Sequence, residues 1–217
     1  MFRVLFIAAL LYFVEPHGYL QDPPSRSSLW RFGFQSPVNY NDNQLFCGGF
    51  WHQWDLNGGK CGICGDPWDE SEPRANEDGG KYGNGIIART YGVGETITVT
   101  VRITAYHKGH FEFRLCPISY DGRKVDQDCL DKHVLQLVDD SGYKYILPPG
   151  SGVGLYHIDL MLPRNLTCER CVLQWHYRTG NSWGVCKDGT GALGCGPQEV
   201  FRSCADIRIE DGHFRKH

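Results

Sequence analysis

The sequence has no block of basic residues and no basic, aromatic-studded helix. Their absence excludes a surface built for nucleic acid or for an anionic membrane. Neither charge is in excess: 22 Lys and Arg stand against 25 Asp and Glu, a formal charge of −3. After the first sixteen residues no apolar run is long enough to cross a bilayer. The closing stretch, Glu210 to His217, is polar and carries no lipid-anchor signal. No internal repeat is visible and no helical period is sustained, so strands and loops must build the fold.

The chain has 217 residues, which suits one large domain or two small ones and leaves enough material to bury a real core. Its one long apolar run, Val4 to Val14, follows Arg3 and reads as a secretory signal peptide over residues 1–16. The expected division is therefore a signal at 1–16, one domain at 17–210 and a short polar tail at 211–217. The protein would be secreted and extracellular. Cleavage after Pro16 would make His17 the first residue. A chain that begins with histidine offers the free α-amine and the ring Nδ1 together, and both can chelate one metal. The alternative is an exposed histidine near a terminus. Pro16 departs from the small residue a signal peptidase prefers, and a cut displaced by one residue would abolish the chelate.

Ten cysteines follow the signal: Cys47, Cys61, Cys64, Cys116, Cys129, Cys168, Cys171, Cys186, Cys195 and Cys204. An even number in an exported chain implies disulfides, up to five, of open connectivity. The pairs Cys61/Cys64 and Cys168/Cys171 would also fit a zinc ribbon, but ribbon pairs usually lie about 15–20 residues apart. These are more than a hundred apart. Asn165-Leu166-Thr167 is a glycosylation sequon, consistent with a surface loop.

From His17 to about Tyr91, Pro and Gly punctuate the text every few residues and predict long, disulfide-pinned loops. Ser27 to Phe34 could form one or two helical turns. Tyr40, Phe46, Trp51, Trp54 and Trp68 sit here. Most are expected to fill space beneath the loops, and one or two could offer a flat face to a sugar ring. Asp69 and Glu70 read as solvated loop charges.

After Glu95 the pattern changes. Ile97, Val99, Val101 and Ile103 alternate with Thr and Arg, and Phe111, Phe113 and Leu115 alternate with Glu112 and Arg114. Period two means half-buried strands. Further strands are expected at 133–138, 143–146, 155–162, 170–177 and 204–209. About seven short strands predict an all-β antiparallel sandwich of the immunoglobulin or fibronectin III type. His107 and His110 fall in the bend between the first two strands. Residues three apart share a face on a helix but not on an extended chain. They are not expected to chelate together: one can point to a site while the other faces water.

Several dispersed segments together resemble the lytic polysaccharide monooxygenases, and most closely the invertebrate-type branch, auxiliary activity family fifteen, with its type-4 chitin-binding domain. They are His17-Gly18-Tyr19, Pro23-Pro24-Ser25-Arg26, the run from Asn43 to Gly49, Ala105-Tyr106-His107, Glu112 to Pro117, Gly180 to Gly184, and Phe201 to Asp206. The resemblance implies one copper ion held by the His17 amine, His17 Nδ1 and a ring nitrogen of His107. It makes Ala105 the small residue beside the metal and Phe201 the axial aromatic, which supplies no oxygen ligand. It leaves Gln198 or Glu199 as the polar group that orients oxygen species. Trp175 reads as core. Tyr19 is the leading substrate contact.

Three nitrogens suit copper(II), whose affinity tops the divalent series. Because the amine must lose its proton, with a reference pKa near 7.7–8, copper affinity should rise with pH. The implied partners are insoluble chitin or cellulose and an external electron donor, with O2 or H2O2 as co-substrate. The expected state is a monomer. Two other readings stand beside this one. The first is a non-catalytic chitin-binding protein on the same sandwich. The second is a zinc-binding domain with free cysteines.

Overall fold

The computed structural model describes residues 17–118 and 124–211. The expected signal peptide, and the tail beyond residue 211, lie outside the described residues. Two sheets face each other across one apolar core, as the alternation predicts. The first has four antiparallel strands. β1 (His17–Asp22) pairs with β3 (Thr96–Ala105), β3 with β7 (Gly154–Met161), and β7 with β5 (Gln136–Leu137). The second runs β2 (Arg89–Gly92), β11 (Val200–Glu210), β8 (Cys168–Arg178), β4 (His110–Pro117), β6 (Tyr145–Ile146). A small hairpin, β9 (Trp183–Val185) with β10 (Gly191–Leu193), stands apart from both.

β3 shows why the sandwich forms. Ile97, Val99, Val101, Ile103 and Ala105 are buried, while Thr96, Thr98, Arg102 and Thr104 point outward. β-branched side chains suit that pleated, one-sided burial. On the facing sheet Phe111, Phe113, Trp175, Tyr177 and Phe201 are buried, and the rings of Phe111, Trp175, Tyr177 and Phe201 pack against one another; the Phe111 and Tyr177 centroids are 4.9 Å apart. Trp175 is core, as expected.

Three expectations need correction. His17–Asp22 is a strand, not loop. Its alternation is masked because one of its two inward positions is Gly18, where a Cβ would stand 2.8 Å from the Ile103 side chain and 3.0 Å from the Arg102 carbonyl. The expected strand at 133–138 shrinks to two residues, after a short helix, α1 (Gln127–Lys132), whose first turn is capped by the Asp126 carboxylate accepting from the Cys129 N–H. And one pairing is parallel, β2 with β11, inside an otherwise antiparallel sheet.

The loops between β1 and β2 hold little regular structure beyond a 3-10 turn at Leu29–Phe32 and a single wider turn at His52–Leu56. They are fastened in two ways. Cys47 pairs with Cys61, and Cys64 reaches Cys204 on β11. Arg26, itself buried, donates through Nε and Nη2 to both oxygens of Asp206 at 2.7 Å, through Nη2 to Asp78, and through Nη1 to the Asn76 carbonyl. The other disulfides are Cys116–Cys129, Cys168–Cys171 and Cys186–Cys195. No cysteine is free, which removes the thiolate zinc reading.

Candidate active site

One end of the sandwich gathers most of the residues singled out in the sequence. The β1–β3 register sets His17 opposite Ala105, the last residue of β3. Two residues on, His107 stands in the bend between β3 and β4. The bend is tight because Lys108 and Gly109 both take positive φ, 53° and 87°. At Gly109 a Cβ would lie 2.0 Å from the Arg178 carbonyl oxygen, so only glycine lets the bend lie this close to β8.

The backbone of His107 is held on both sides. Its N–H donates to Tyr177 Oη at 3.2 Å, and its carbonyl accepts from the Gly180 N–H at 2.9 Å. Tyr177 in turn donates to the Lys108 carbonyl at 2.7 Å. Burial pushes the Tyr177 phenol well above its ordinary range, and the nearby Glu199 carboxylate adds to the rise, so the phenol stays protonated and able to donate. On the His107 ring, the Asn181 side-chain amide lies against Nδ1.

A third segment closes the site from behind. The Asn43 carbonyl accepts from the Gly18 N–H at 2.9 Å, and the Leu45 carbonyl accepts from the Arg202 N–H at 3.0 Å. Phe46 stacks on Phe201 with centroids 6.0 Å apart, and Tyr177 packs on its other neighbour side at 5.8 Å. Residues 43–46 therefore lace the start of β1 to the start of β11. Phe201 is fully buried.

Gln198 and Glu199 separate clearly. Gln198 is buried, and its amide is spent on backbone: Oε1 accepts from the Ser182 N–H, and Nε2 donates to the carbonyls of Ser182, Cys195 and Pro197. It is a brace for the 182–195 loop rather than a group aimed at a reaction. Glu199 is half-buried near the Tyr177 hydroxyl. His110 does not face water, as one of the two bend histidines was expected to do. It is largely buried, with Nε2 3.0 Å from Glu112 Oε1. Burial alone would raise the Glu112 carboxyl; the hydrogen bond from His110 and the nearby Arg114 outweigh it and hold the group at about 2. Asp69 is exposed and accepts from His52 and Asn57, a solvated charge as expected. Asn165 is exposed in the turn between β7 and β8.

Tyr19 is half-buried on the outward side of β1, next to the Arg31–Asp42 pair. The loop aromatics do not all fill space. Phe46 and Trp54 do, and the Trp54 indole donates to the Gln198 carbonyl at 2.9 Å. Tyr40 at 80 %, Trp51 at 62 % and Trp183 at 56 % are the most exposed rings among the described residues. Trp183 was not singled out in the sequence, although Gly180-Asn181-Ser182-Trp183-Gly184 was. Its position two residues after Asn181, in a disulfide-closed hairpin, was the available signal.

Among the described residues no three His, Cys, Asp or Glu side chains gather to hold a metal. The family model for lytic polysaccharide mono-oxygenases, described as cellulose-degrading, matches residues 17–207. The chain belongs to that family, the copper-dependent polysaccharide monooxygenases. Among solved structures it is 52 % identical to the lytic polysaccharide monooxygenase AA15 from Thermobia domestica, described in its Cu(I) state. The match covers 89 % of this chain and 98 % of that one, with a TM-score of 0.86, and puts the chain in auxiliary activity family fifteen. A chitin binding domain from Burkholderia pseudomallei (12 % identity, TM-score 0.50, 90 % and 100 % covered) shares only the fold. So do the fusolin spindles of a Wiseana entomopoxvirus (15 %, 0.50, 93 % and 86 %). No curated protein sequence matches the chain.

Proposed function

We propose that the protein is secreted, is cut before His17, and oxidatively cleaves crystalline chitin or cellulose with one copper ion held by His17 and His107. The observation that carries this reading is the β1–β3 register, which places the residue that would become the N-terminus across from Ala105, two positions before His107.

The donor set fits the metal. The His17 amine, His17 Nδ1 and a His107 ring nitrogen are three neutral nitrogens, a set copper binds ahead of the other divalent ions. Copper so held supplies the redox chemistry, in which an external reductant and O2 or H2O2 lead to oxidation of a C–H bond beside the glycosidic linkage. The chain's own residues do the positioning. Ala105 keeps only a methyl group opposite His17. Phe201, locked between Phe46 and Tyr177, is the aromatic that would stand beside the metal, and it has no oxygen to offer as a ligand. Glu199 is the polar group left to orient oxygen species, since Gln198 is committed to its loop.

Tyr19, Tyr40, Trp51 and Trp183 offer flat rings to a polymer too large to enter a pocket. Five disulfides without a free thiol support an oxidising, extracellular destination, and the exposed Asn165 is a fit acceptor for a glycan. The protein would act as a monomer.

The test is mass spectrometry of the exported chain, copper analysis, and incubation with chitin and with cellulose, each with and without ascorbate. The expected result is a chain starting at His17, one copper per chain, and oxidised oligosaccharides only with reductant. A chain beginning elsewhere, or binding to polymer without oxidised products, overturns the proposal; the second outcome leaves a carbohydrate-adhering sandwich.

A further inference from the structure

Beneath the loops, the outer face of the second sheet carries a row of charged residues that the proposed chemistry does not use. The strand registers set Glu112 on β4 opposite His176 on β8, and His176 opposite Arg202 on β11. Arg202 Nε donates to His176 Nδ1 at 3.2 Å. A guanidinium can only donate, so Nδ1 must keep its lone pair and the ring's one proton sits on Nε2. A second proton would set N–H against N–H and one cation against another. The Arg202 contact and a protonated His176 therefore exclude each other.

The surroundings give such a proton no partner. Burial comes first, and then Arg202, Arg114, His110 and Arg178 add positive charge; together they hold the His176 ring well below its ordinary range. Glu112 stands opposite, but its oxygens are engaged. Oε1 meets His110 Nε2 at 3.0 Å, with Lys144 Nζ 3.6 Å away, and Oε2 accepts from Arg114. Asp131 on α1 pairs with Arg114 Nε at 2.9 Å, and Arg178 donates to the Gly194 and Gly196 carbonyls. Burial and Arg114 lower the Arg202 guanidinium only to about 10, so it is charged wherever His176 titrates.

Arg202 holds one pad of the loops at both ends. Its main-chain N–H donates to the Leu45 carbonyl at 3.0 Å. Its Nη1 donates to the carbonyls of Cys61 and Gly62 at 3.2 and 3.3 Å. The Cys47–Cys61 disulfide joins the two ends. Gly65 lies so close that a Cβ there would stand 2.5 Å from the Arg202 carbonyl oxygen. Within the pad, Phe46 stacks on Phe201, the residue before Arg202.

We propose that His176 and Arg202 form an acid-sensitive latch behind the candidate site: with a neutral ring, Arg202 clamps residues 45–62 against β11, and protonation of His176 turns the guanidinium away and loosens that pad. The latch lies outside the proposed ligand set and does not depend on copper. An unfolded chain takes a proton on this histidine as pH falls through about 6.5, whereas the closed latch refuses it. Open forms therefore gain on the closed one below that pH, about tenfold for each unit by which the closed ring is depressed. Above it the latch is at full strength.

Two measurements on the exported protein test this. 15N NMR of the histidine-labelled chain at pH 7 should show His176 Nε2 protonated and Nδ1 bare, with the ring neutral to well below pH 6.5. A proton on Nδ1 at pH 7, or a ring already half charged at pH 6.5, overturns the latch. Hydrogen exchange of residues 45–65, corrected for intrinsic rates, supplies the second arm. Asp66 in the same loops titrates in the opposite sense, so variants and parent are compared at each pH. The parent pad should open about tenfold more at pH 5 than at pH 7. His176→Asn keeps an acceptor for Arg202 but takes no proton, and should change less than about threefold. His176→Phe offers no acceptor and should exchange faster than the parent at pH 7. A parent that does not loosen, an asparagine variant that loosens as much as the parent, or a phenylalanine variant as protected as the parent at pH 7 overturns the proposal. Should a variant fail to fold, the parent's ring titration and exchange still decide.

Discussion

Two irregular regions are fastened to the same sandwich by opposite means. The loops between β1 and β2 are anchored from inside, by a guanidinium with no access to water. Arg26 is 1 % exposed, and its hydrogen bonds to oxygen run to Asp206 on β11 and to Asp78 and Asn76 in the loops. The bend carrying His107 is anchored without charges, by neutral hydrogen bonds of its backbone with the Tyr177 hydroxyl and the Gly180 N–H, and His107 itself is half-buried. Long loops cannot bury enough apolar area to hold themselves, so they use a charge pair and disulfides. The proposed metal site would need rigidity without burial, and hydrogen bonds to a buried phenol would supply it.

The largest effect should come from breaking the inner anchor. Arg26→Met keeps much of the volume but leaves the Asp206 carboxylate, 2 % exposed, in the interior without its main partner. Breaking one side of a buried ion pair typically costs about 3–5 kcal/mol, more than many domains can spare. Urea denaturation should show that loss, and limited proteolysis should cut first within residues 23–88. A loss under 1 kcal/mol would mean that the Cys64–Cys204 disulfide, not Arg26, holds the loops.

Tyr177→Phe tests the neutral anchor. It removes one hydroxyl, stranding the His107 N–H and the Lys108 carbonyl at the base of the bend. Unsatisfied groups of this kind cost about 1–3 kcal/mol when buried, and less here because solvent can reach the bend. The comparison predicts a different signature from the first variant: a modest change in melting temperature with a weaker grip on copper, read by copper(II) titration. If stability fell as far as in Arg26→Met while copper affinity held, the two regions would not differ in the way described.

What could be read in advance follows the same division. β3, β4, β7, β8 and β11 announce themselves because their apolar side chains alternate, and alternation is a local property of the chain. β1 does not, because Gly18 holds one of its buried positions. The Arg26–Asp206 pair joins residues 180 positions apart, and each lies in a motif that could be quoted but not connected. The disulfide partners were open for the same reason: spacing leaves fifteen or more connectivities for six or more cysteines. At the proposed site, His17, Ala105, His107 and Phe201 are the residues the motifs nominate. Asn181 and the exposure of Trp183 were not legible there, since both depend on how the 182–195 loop is tied back to Gln198.

The smallest effect concerns a second buried carboxylate that lacks what Asp206 has. Asp66 is 3 % exposed, and its oxygens accept only from the Asn76 backbone N–H and Nδ2. Burial pushes it up from 3.8 to about 6, with the Asn76 bonds pulling the other way. A folded-state pKa above the unfolded one means that the native protein binds the extra proton between pH 4 and 6. Stability should therefore decline as pH rises through that window, and the cost is fully present above it. Asp66→Asn removes the charge and keeps one acceptor for Asn76. The shift of about two units corresponds to roughly 3 kcal/mol at 1.36 per unit. The new amide hydrogens must find partners in the same enclosed space, so a gain of about 1–2 kcal/mol at pH 7 is the expectation, vanishing at pH 4. Melting curves of the two proteins at both pH values check it. An equal gain at pH 4 and pH 7 would show that Asp66 is not paying for its charge, and that a buried acid in these loops can do without an arginine.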